Sequence, residues 1–489
     1  MRRREFLQLS VLASGASFFN AYGFGQPSTS LRLTIDPHST GDTIGPDFTG
    51  LSYESAQLGD PTFFSPDNTE LVALVRRLGK SGVLRIGGNT SEYCYWTPNP
   101  TAADIAASSA PVNPSTGKQP DSVRKITPQA VRNLRGFIDA TGWKLIYGLN
   151  MGTGTPEAAA DEAAYVMKLL GPKLVAFQLC NEPDLFYRNG IRKAGYNFAA
   201  FAQEWQHFYK VIRMRVPNAP FSGPDTAFNN EWLVPFAKEF KHEARFLSQH
   251  YYAEGPPTDP SMTIERLLHP NPRLVAEFAG MKQTRQDTGL PFRLTETNSC
   301  YQAGKQGVSN TFASALWGAE LMYQLATQGG IGINFHGGGF GWYTPIAGSL
   351  QKGFEARPIY YGMLMFAQAG AGQLVENTLS EPQPEDVVAA YSIKTPSGLK
   401  TILFNKNPDS ALRIEIDPGR RAQSAAINVL HAPHLDSTSG VVLEGVSLQE
   451  FHPRAGERYV TAQLKLQAKD GLFTVDLPAA SAALVSFED

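Results

Sequence analysis

Short apolar runs alternate with amphipathic stretches of helical period between residue 46 and about residue 370. Eight of these runs are predicted strands: 48–53, 83–86, 144–149, 174–179, 220–223, 246–250, 292–295 and 332–335. Seven amphipathic stretches between them are predicted helices: 68–78, 128–140, 156–170, 196–215, 231–240, 262–288 and 311–328. Strict alternation of strand and helix favours an α/β fold in which the eight strands are parallel and close into a (β/α)8 TIM barrel. We assign the catalytic barrel to residues 46–372.

The pattern changes after about residue 375, where short runs of alternating apolar and polar residues are separated by turn residues. This period of two predicts an all-β domain, a sandwich or small barrel, over residues 373–489. Residues 31–35 show the same alternation ahead of the first barrel strand. We therefore expect residues 29–45 to add an N-terminal strand to the C-terminal β-sandwich.

Two glutamates follow predicted buried strands. The apolar run 174–179 leads into Asn181-Glu182-Pro183, and Glu296 comes directly after the run 292–295. In a barrel of parallel strands the carboxyl ends carry the active site. Two carboxylates that face each other there are the minimum equipment for glycoside hydrolysis. The alternative for each glutamate alone is a solvated loop residue or a helix-capping partner.

Composition excludes several classes of function. A formal net charge of −2 over 489 residues offers no basic field for nucleic acid. No segment is long and apolar enough to span a membrane. The three cysteines, Cys94, Cys180 and Cys300, do not form a disulfide framework, and Cys180 is expected to be a small buried hydrophobe. Histidines are scattered, so we predict no metal and no cofactor, and we expect a monomer.

The N-terminus is predicted to be a targeting segment. Arg2-Arg3-Arg4 precedes a modest apolar stretch at residues 9–19, the pattern of a bacterial twin-arginine export signal. Residues 1–28 would then be a signal peptide, and the protein would be periplasmic or secreted. A basic disordered tail is the alternative.

Five segments together resemble glycoside hydrolase family 79, the heparanases and β-glucuronidases of clan A. They are Leu84-Arg85-Ile86-Gly87-Gly88, Leu145-Ile146-Tyr147-Gly148-Leu149-Asn150, Gln178-Leu179-Cys180-Asn181-Glu182-Pro183, His250-Tyr251-Tyr252 and Thr295-Glu296-Thr297. The resemblance covers nearly the whole mature chain and is greatest to bacterial exo-acting β-glucuronidases. The chain departs from heparanase in having no obvious processing linker and few Lys or Arg residues near the strand ends, which argues against cleavage of heparan sulfate.

The resemblance implies roles for four residues. Glu182 would be the general acid/base and Glu296 the nucleophile of a retaining mechanism. Asn181 would bind the sugar 2-hydroxyl, and Tyr252 would orient the nucleophile, with aromatic packing as its alternative role. The expected substrate is a carbohydrate that carries terminal β-linked glucuronic acid.

Other residues at the strand ends are candidates for binding this sugar. Gly338 and Gly339 follow the eighth strand, where backbone N–H groups can approach an anion, and the hydroxyls of Tyr301 and Tyr343 are further donors to the sugar carboxylate. A flexible turn is the alternative for the glycines. Glu54 and Asn89 end the first two strands and are candidates for the sugar hydroxyls, with solvated or structural roles as alternatives.

The predicted function is a retaining exo-β-glucuronidase. Two alternatives stay open: an endo-acting glycanase on uronic acid polymers, and a non-catalytic glycan-binding protein on the same fold. The long segment 91–125, rich in Ala, Pro, Ser and Thr, bears on the first alternative. It is either a wall over the substrate cleft or a surface loop.

Overall fold

The computed structural model describes residues 29–106, 124–380, 387–444 and 464–488. The predicted signal peptide and the middle of the segment 91–125 lie outside these ranges. Within them, no helix is both long and apolar enough to cross a membrane. All three cysteines are buried and unpaired.

A closed barrel of eight parallel strands forms the first half of the molecule, as predicted. Its strands are β1 (Thr49–Glu54), β2 (Val83–Gly87), β3 (Lys144–Gly148), β4 (Leu174–Gln178), β5 (Phe221–Thr226), β6 (Ala244–Glu254), β7 (Phe292–Cys300) and β8 (Ile333–Gly337). Each predicted strand corresponds to one of them, in the same order. Strand β8 pairs with β1, so that Ile333 lies opposite Thr49 and the cylinder is closed.

Helices surround the barrel. They are Thr69–Arg77, Pro128–Thr141, Pro156–Leu170, Phe198–Arg215, Asn230–Glu239, Ile264–Leu268, Pro272–Thr288, Phe312–Thr327 and Pro358–Ala369. A further short helix, Ala102–Ala106, lies in the segment 91–125, where no helix is predicted. Several begin with a side-chain cap: Thr127 and Thr155, for example, each accept a backbone N–H and are followed by a proline at the first helical position.

The predicted helix 262–288 is wrong as a single element. The chain forms a short helix at Ile264–Leu268 and a longer one at Pro272–Thr288. His269 stands between them in extended conformation, with φ −75° and ψ 149°. Pro270 disfavours helical backbone at the residue before it, which ends the first helix there.

Two barrel strands are longer than the alternation predicts. Strand β6 extends to Glu254 and β7 to Cys300, so Tyr252 and Glu296 lie inside strands and not at their ends. The register of β6 against β7 shifts at Gln249/His250, and that of β7 against β8 shifts between Leu294 and Thr297. Such irregularities change which side chains point inward, and they are common beside active sites.

The second domain is one curled sheet of eleven strands among the described residues. Its strands are Thr29–Asp36, Thr43–Ile44, Gly372–Leu379, Val388–Thr395, Gly398–Asn405, Leu412–Asp417, Ser424–His431, Val442–Leu443, Leu464–Gln467, Phe473–Leu477 and Ser481–Glu488. The N-terminal strand joins this sheet, as predicted. It runs antiparallel to Gly372–Leu379 and parallel to Leu412–Asp417. The two halves of the sheet face each other over an apolar core, where the rings of Phe473 and Phe487 meet at 5.3 Å.

Candidate active site

The two predicted glutamates meet at the carboxyl ends of the barrel strands. Both line a cavity of about 910 Å³, and a carboxylate oxygen of Glu182 lies within 4.8 Å of one of Glu296. Glu182 follows β4 in a left-handed conformation, with φ 47° and ψ 56°, and its N–H donates to the Asp225 carbonyl at 2.9 Å. A non-glycine residue held in this region stores backbone strain, which is common at functional sites.

A buried guanidinium lies beneath the pair. Arg85 Nη1 donates to Glu296 Oε2 at 2.5 Å, and Nη2 donates to Asp225 Oδ2 at 2.6 Å and to Asn181 Oδ1 at 2.8 Å. Its Nε donates to Gln178 Oε1 at 2.9 Å. A charge this deep in the protein requires such compensation, because an unpaired buried ion is very costly.

A histidine connects this network to Glu182. His250 Nδ1 lies 3.0 Å from Glu182 Oε1, and Nε2 lies 3.1 Å from Asp225 Oδ2. Burial lowers the pKa of His250, but the charges of Asp225 and Glu296 outweigh burial and raise it to about 10. An imidazolium at this position donates hydrogen bonds to both carboxylates and fixes their orientation.

Glu296 is held as an anion. Its Oε1 accepts the Tyr252 hydroxyl at 2.6 Å, while Arg85 occupies Oε2. Burial raises the pKa of this carboxyl, but His336, His250 and Arg85 outweigh burial, and the Tyr252 hydrogen bond adds to them, so the pKa falls to about 2. A deprotonated, oriented carboxylate is what a nucleophile requires.

A second buried carboxylate, Glu92, positions the chain just before Glu182. Its Oε1 accepts the Asn181 N–H at 2.7 Å and its Oε2 accepts the Gly152 N–H at 2.5 Å. It thereby ties the loop after β2 to the loops after β3 and β4. Burial raises the pKa of Glu92 to about 7, although both N–H groups and Arg192 act in the opposite direction.

The predicted hydroxyl-binding residues lie around the pair with part of their hydrogen-bonding capacity in use. Asn181 is buried, and its Nδ2 donates to Asn89 Oδ1 at 3.2 Å. Glu54 Oε2 accepts both the N–H and the hydroxyl of Thr90, at 2.8 and 2.6 Å. Glu54 and Asn89 line the cavity. Their roles toward substrate stay predictions.

The predicted carboxylate-binding residues separate into two groups. Tyr301 and Tyr343 line the cavity beside Tyr252, with ring centroids 6.5 and 6.1 Å from its own. Gly338 and Gly339 are not among the residues that line it. The N–H of Gly338 already donates to Thr344 Oγ1 at 2.9 Å, so it is not a free donor in this conformation.

Three arginines line the cavity from positions away from the strand ends, where few basic residues are expected. Arg188, Arg266 and Arg273 all line it. Arg188 comes from the loop after β4, and Arg266 and Arg273 come from the two helices after β6, so none of them lies at a strand end. Arg266 pairs with Glu254 at 2.8 Å, whereas Arg273 donates to the Phe228 carbonyl at 3.2 Å.

Sequence reasoning did not assign roles to several residues of the site. They are Arg85, Glu92, Gln178, Asp225, His250 and His336. A usable signal existed for Arg85, because a cation inside the apolar run Val-Leu-Arg-Ile must find a buried anion. No comparable local pattern marks Asp225, whose importance arises only from the closure of the barrel.

Glu182, His250 and Glu296 also satisfy the spacing of a three-ligand metal cluster. The charges around them fit hydrogen bonding better. Both ring nitrogens of His250 already face carboxyl groups, Nδ1 that of Glu182 at 3.0 Å and Nε2 that of Asp225 at 3.1 Å. Arg85 already neutralises Glu296 at 2.5 Å. The predicted absence of a metal therefore stays the simpler expectation.

Comparison with known proteins finds two fungal relatives among the similar sequences. The chain is 24% identical over 495 residues to a β-glucuronidase of Aspergillus niger, covering 90% of this chain and 88% of the relative. It is also 24% identical over 377 residues to a β-glucuronidase of Neurospora crassa, covering 69% and 66% of the two chains. No model of a protein family matches the chain.

Solved structures share the fold. A 4-O-α-L-rhamnosyl-β-D-glucuronidase from Fusarium oxysporum superposes with a TM-score of 0.71 at 17% identity, covering 94% of this chain and 100% of the other. A family 51 arabinofuranosidase from Xanthomonas axonopodis pv. citri gives a TM-score of 0.68 at 13% identity, covering 95% and 100%. At these identities the likeness establishes the architecture, a barrel joined to a β domain.

Glu92→Gln is expected to change how stability depends on pH. Because folding raises the pKa of Glu92 from 4.5 to about 7, its protonated form contributes stability that is complete below pH 4.5 and lost as pH rises through 7. The free energy of unfolding of wild type should therefore fall by about 2–3 kcal/mol relative to that of Glu92→Gln between pH 4.5 and pH 7. Urea denaturation of both proteins at acidic and mildly alkaline pH measures the difference, and a constant difference would contradict the assignment.

Proposed function

We propose that the chain is a retaining exo-β-glucuronidase, which releases terminal β-linked glucuronic acid through a covalent glycosyl-enzyme. The observation that carries the proposal is the pair Glu182 and Glu296, with oxygens within 4.8 Å in a cavity at the carboxyl ends of the strands. Retaining glycosidases place their carboxyl groups about 5–5.5 Å apart, whereas inverting enzymes leave about 6.5–9.5 Å for a water. Similarity to two β-glucuronidases supports glucuronide as the substrate class.

The geometry supports a distinct role for each carboxyl group. Glu296, ionised and held by Arg85 and Tyr252, attacks the anomeric carbon. Glu182 uses Oε1 toward His250, so its other oxygen is the one to protonate the departing glycosidic oxygen. In the second step Glu182 takes a proton from water, which attacks the same carbon, and Glu296 is released with net retention.

Arg85 and Tyr252 favour the second step, in which Glu296 becomes a carboxylate again. When Glu296 becomes an ester it loses its charge, and the hydrogen bonds at 2.5 and 2.6 Å then contact a neutral group. These contacts are stronger to the carboxylate that leaves in the second step, so they favour breakdown of the intermediate.

The N-terminal arginine pattern supports export of the enzyme from the cytoplasm.

A matched set of aryl glycosides tests the substrate class. The 4-nitrophenyl β-D-glucuronide should be hydrolysed with a kcat/KM at least about 10²-fold above those of the glucoside, galactoside and xyloside, because a site shaped for a carboxylate discriminates strongly against sugars without one. Initial rates on all four substrates give the comparison. Comparable rates on the neutral sugars would remove uronate recognition. Release of single glucuronic acid residues from the non-reducing end of a glycan would support exo action, and release of fragments of two or more sugars from that end would contradict it.

Glu182→Gln and Glu296→Gln should fail in different ways. Loss of the nucleophile in Glu296→Gln should lower kcat by about 10³-fold or more for every glucuronide. Loss of the acid in Glu182→Gln should lower the glycosylation rate most for poor leaving groups, because a phenol of low pKa departs without protonation. Rates on a series of aryl glucuronides separate the two. Glu239→Gln, on an exposed helix end, is the matched control. Equal losses across the series in both variants would refute the assigned roles.

Tyr252→Phe should move the acidic limb of the pH–rate profile upward. The hydroxyl donates to Glu296 at 2.6 Å and helps to lower the pKa of that carboxyl. The anion is therefore present above the lowered pKa, and removing a hydrogen bond to a charged group should shift the limb by about one pH unit. The profile of kcat/KM against pH measures this. Tyr209→Phe, whose hydroxyl contacts Arg213 on an outer helix, should leave the limb in place.

A further inference from the structure

A second cavity, of about 690 Å³, lies between the barrel and the β domain. On the barrel side the helices Ile264–Leu268 and Phe312–Thr327 contribute to its wall, and on the other side the strands Gly372–Leu379 and Val388–Thr395 do. Clefts between domains are frequent ligand sites. The mechanism proposed above makes no use of this one.

The two cavities share a wall. Six residues line both of them: Ala253, Glu254, Arg266, His269, Pro270 and Asn271. This ridge is the end of β6 together with the chain that separates the two helices after it. Arg266, His269 and Pro270 are exposed on the ridge, so its crest is open to solvent. A molecule bound in the catalytic cavity can therefore continue over the ridge into the second cavity.

A series of contacts connects the ridge to the side of the catalytic cavity that carries Glu182. Glu182 must reach the glycosidic oxygen, so the aglycone extends from its side of the site. The loop after Glu182 contacts the loop after β5, because Asp184 accepts the Ala227 N–H at 3.1 Å. Phe228 then contacts Arg273, whose guanidinium carbon is 5.2 Å from the ring centroid. Arg273 is two residues from Asn271, which donates to the Ala253 carbonyl at 3.2 Å on the ridge.

The lining of the second cavity has the chemistry of a saccharide site. Most of the lining residues are apolar, and amides and hydroxyls lie among them, from Asn377, Gln324, Gln328, Thr327 and Thr378. They supply donors and acceptors without net charge. Tyr391 adds a half-buried aromatic ring, held by stacking on Tyr323 at 5.1 Å. Of the charged groups, Lys406 and Glu320 neutralise each other at 2.7 Å.

We propose that the cavity between the domains is an extended subsite for a saccharide aglycone. It would bind sugar residues of the leaving group beyond those next to the bond that breaks. The inference rests on the proposed function and goes further, because it makes a glycan chain the preferred substrate and not a glucuronide of a small molecule. It also gives the β domain a direct contact with substrate, through Asn377, Thr378 and Tyr391.

Aglycone length tests the proposal. Glucuronic acid linked to saccharides of increasing length, from one sugar residue to a short oligosaccharide, should show kcat/KM rising by about tenfold or more once the chain reaches the second cavity, since remote binding energy lowers the barrier relative to free substrate. Gln324→Trp and Thr378→Trp fill this cavity from its two sides. Each should abolish most of the rise. Thr474→Trp, an exposed position on another strand of the same domain, is the matched control and should retain it.

The outcomes separate this inference from the function on which it rests. A rise with length that both filling variants remove supports the extended subsite. Hydrolysis of every member with one kcat/KM, or a rise that both filling variants retain, overturns the subsite and leaves the glucuronidase standing. No hydrolysis of any member, the aryl glucuronide included, refutes both. Titration of Glu296→Gln with the free oligosaccharide gives a readout apart from turnover: heat of binding should be lost in Thr378→Trp on that background and kept in Thr474→Trp.

Discussion

The buried guanidinium of Arg85 is the constraint on which the rest of the site depends. It sits on β2 inside the barrel with essentially no exposure, and its donors reach Glu296, Asp225, Asn181, Gln178 and Ser52. An ion in that position is tolerable only if anions and polar groups converge on it. Side chains from β1, β2, β4, β5 and β7 are therefore held in one arrangement, and that arrangement presents the two carboxyl groups to the cavity.

The same network gives the two carboxyl groups different surroundings. Glu296 contacts Arg85 directly and is held in its ionised form. Arg85 is connected to Glu182 indirectly, through Asp225 and His250. The backbone N–H of Glu182 donates to the Asp225 carbonyl. One residue, Asp225, thus orients the histidine and the strained turn that carries Glu182. The asymmetry that the proposed roles of nucleophile and acid require thus arises from a common set of contacts.

Local pattern predicted the parts of the molecule that depend on local physics. Eight buried strands with polar ends, the caps and prolines of the helices, and the alternation of the β domain are each encoded within a few residues. The single predicted helix 262–288 is wrong because Pro270 interrupts the helical periodicity of that stretch. Glu182 is visible in sequence because an apolar run ends just before it. Glu296 also follows an apolar run, but β7 continues past it to Cys300, and local pattern does not predict the register shift beside it.

The remainder of the site depends on distant pairings. Arg85 and Glu296 are 211 residues apart, and Asn181 and Glu92 are 89 apart. No period or motif connects such pairs, because closure of the barrel alone brings them together. The glycines after β8 illustrate the converse. Their flexibility is evident in sequence, but whether an N–H is free depends on a hydroxyl six residues away, and Thr344 already accepts that of Gly338.

The two domains are joined in a way that fixes the cavity between them. The N-terminal strand Thr29–Asp36 lies between Gly372–Leu379 and Leu412–Asp417, so the chain enters the β domain before it builds the barrel and returns afterwards. Lys406 and Glu320 then pair across the interface, both buried. A connection at both ends of the barrel, together with a buried ion pair, restrains hinge motion far more than a single linker does. The β-domain side chains are therefore restrained relative to the ridge and to Glu182 and Glu296, which is the preorganisation that the proposed binding surface shared by two domains requires.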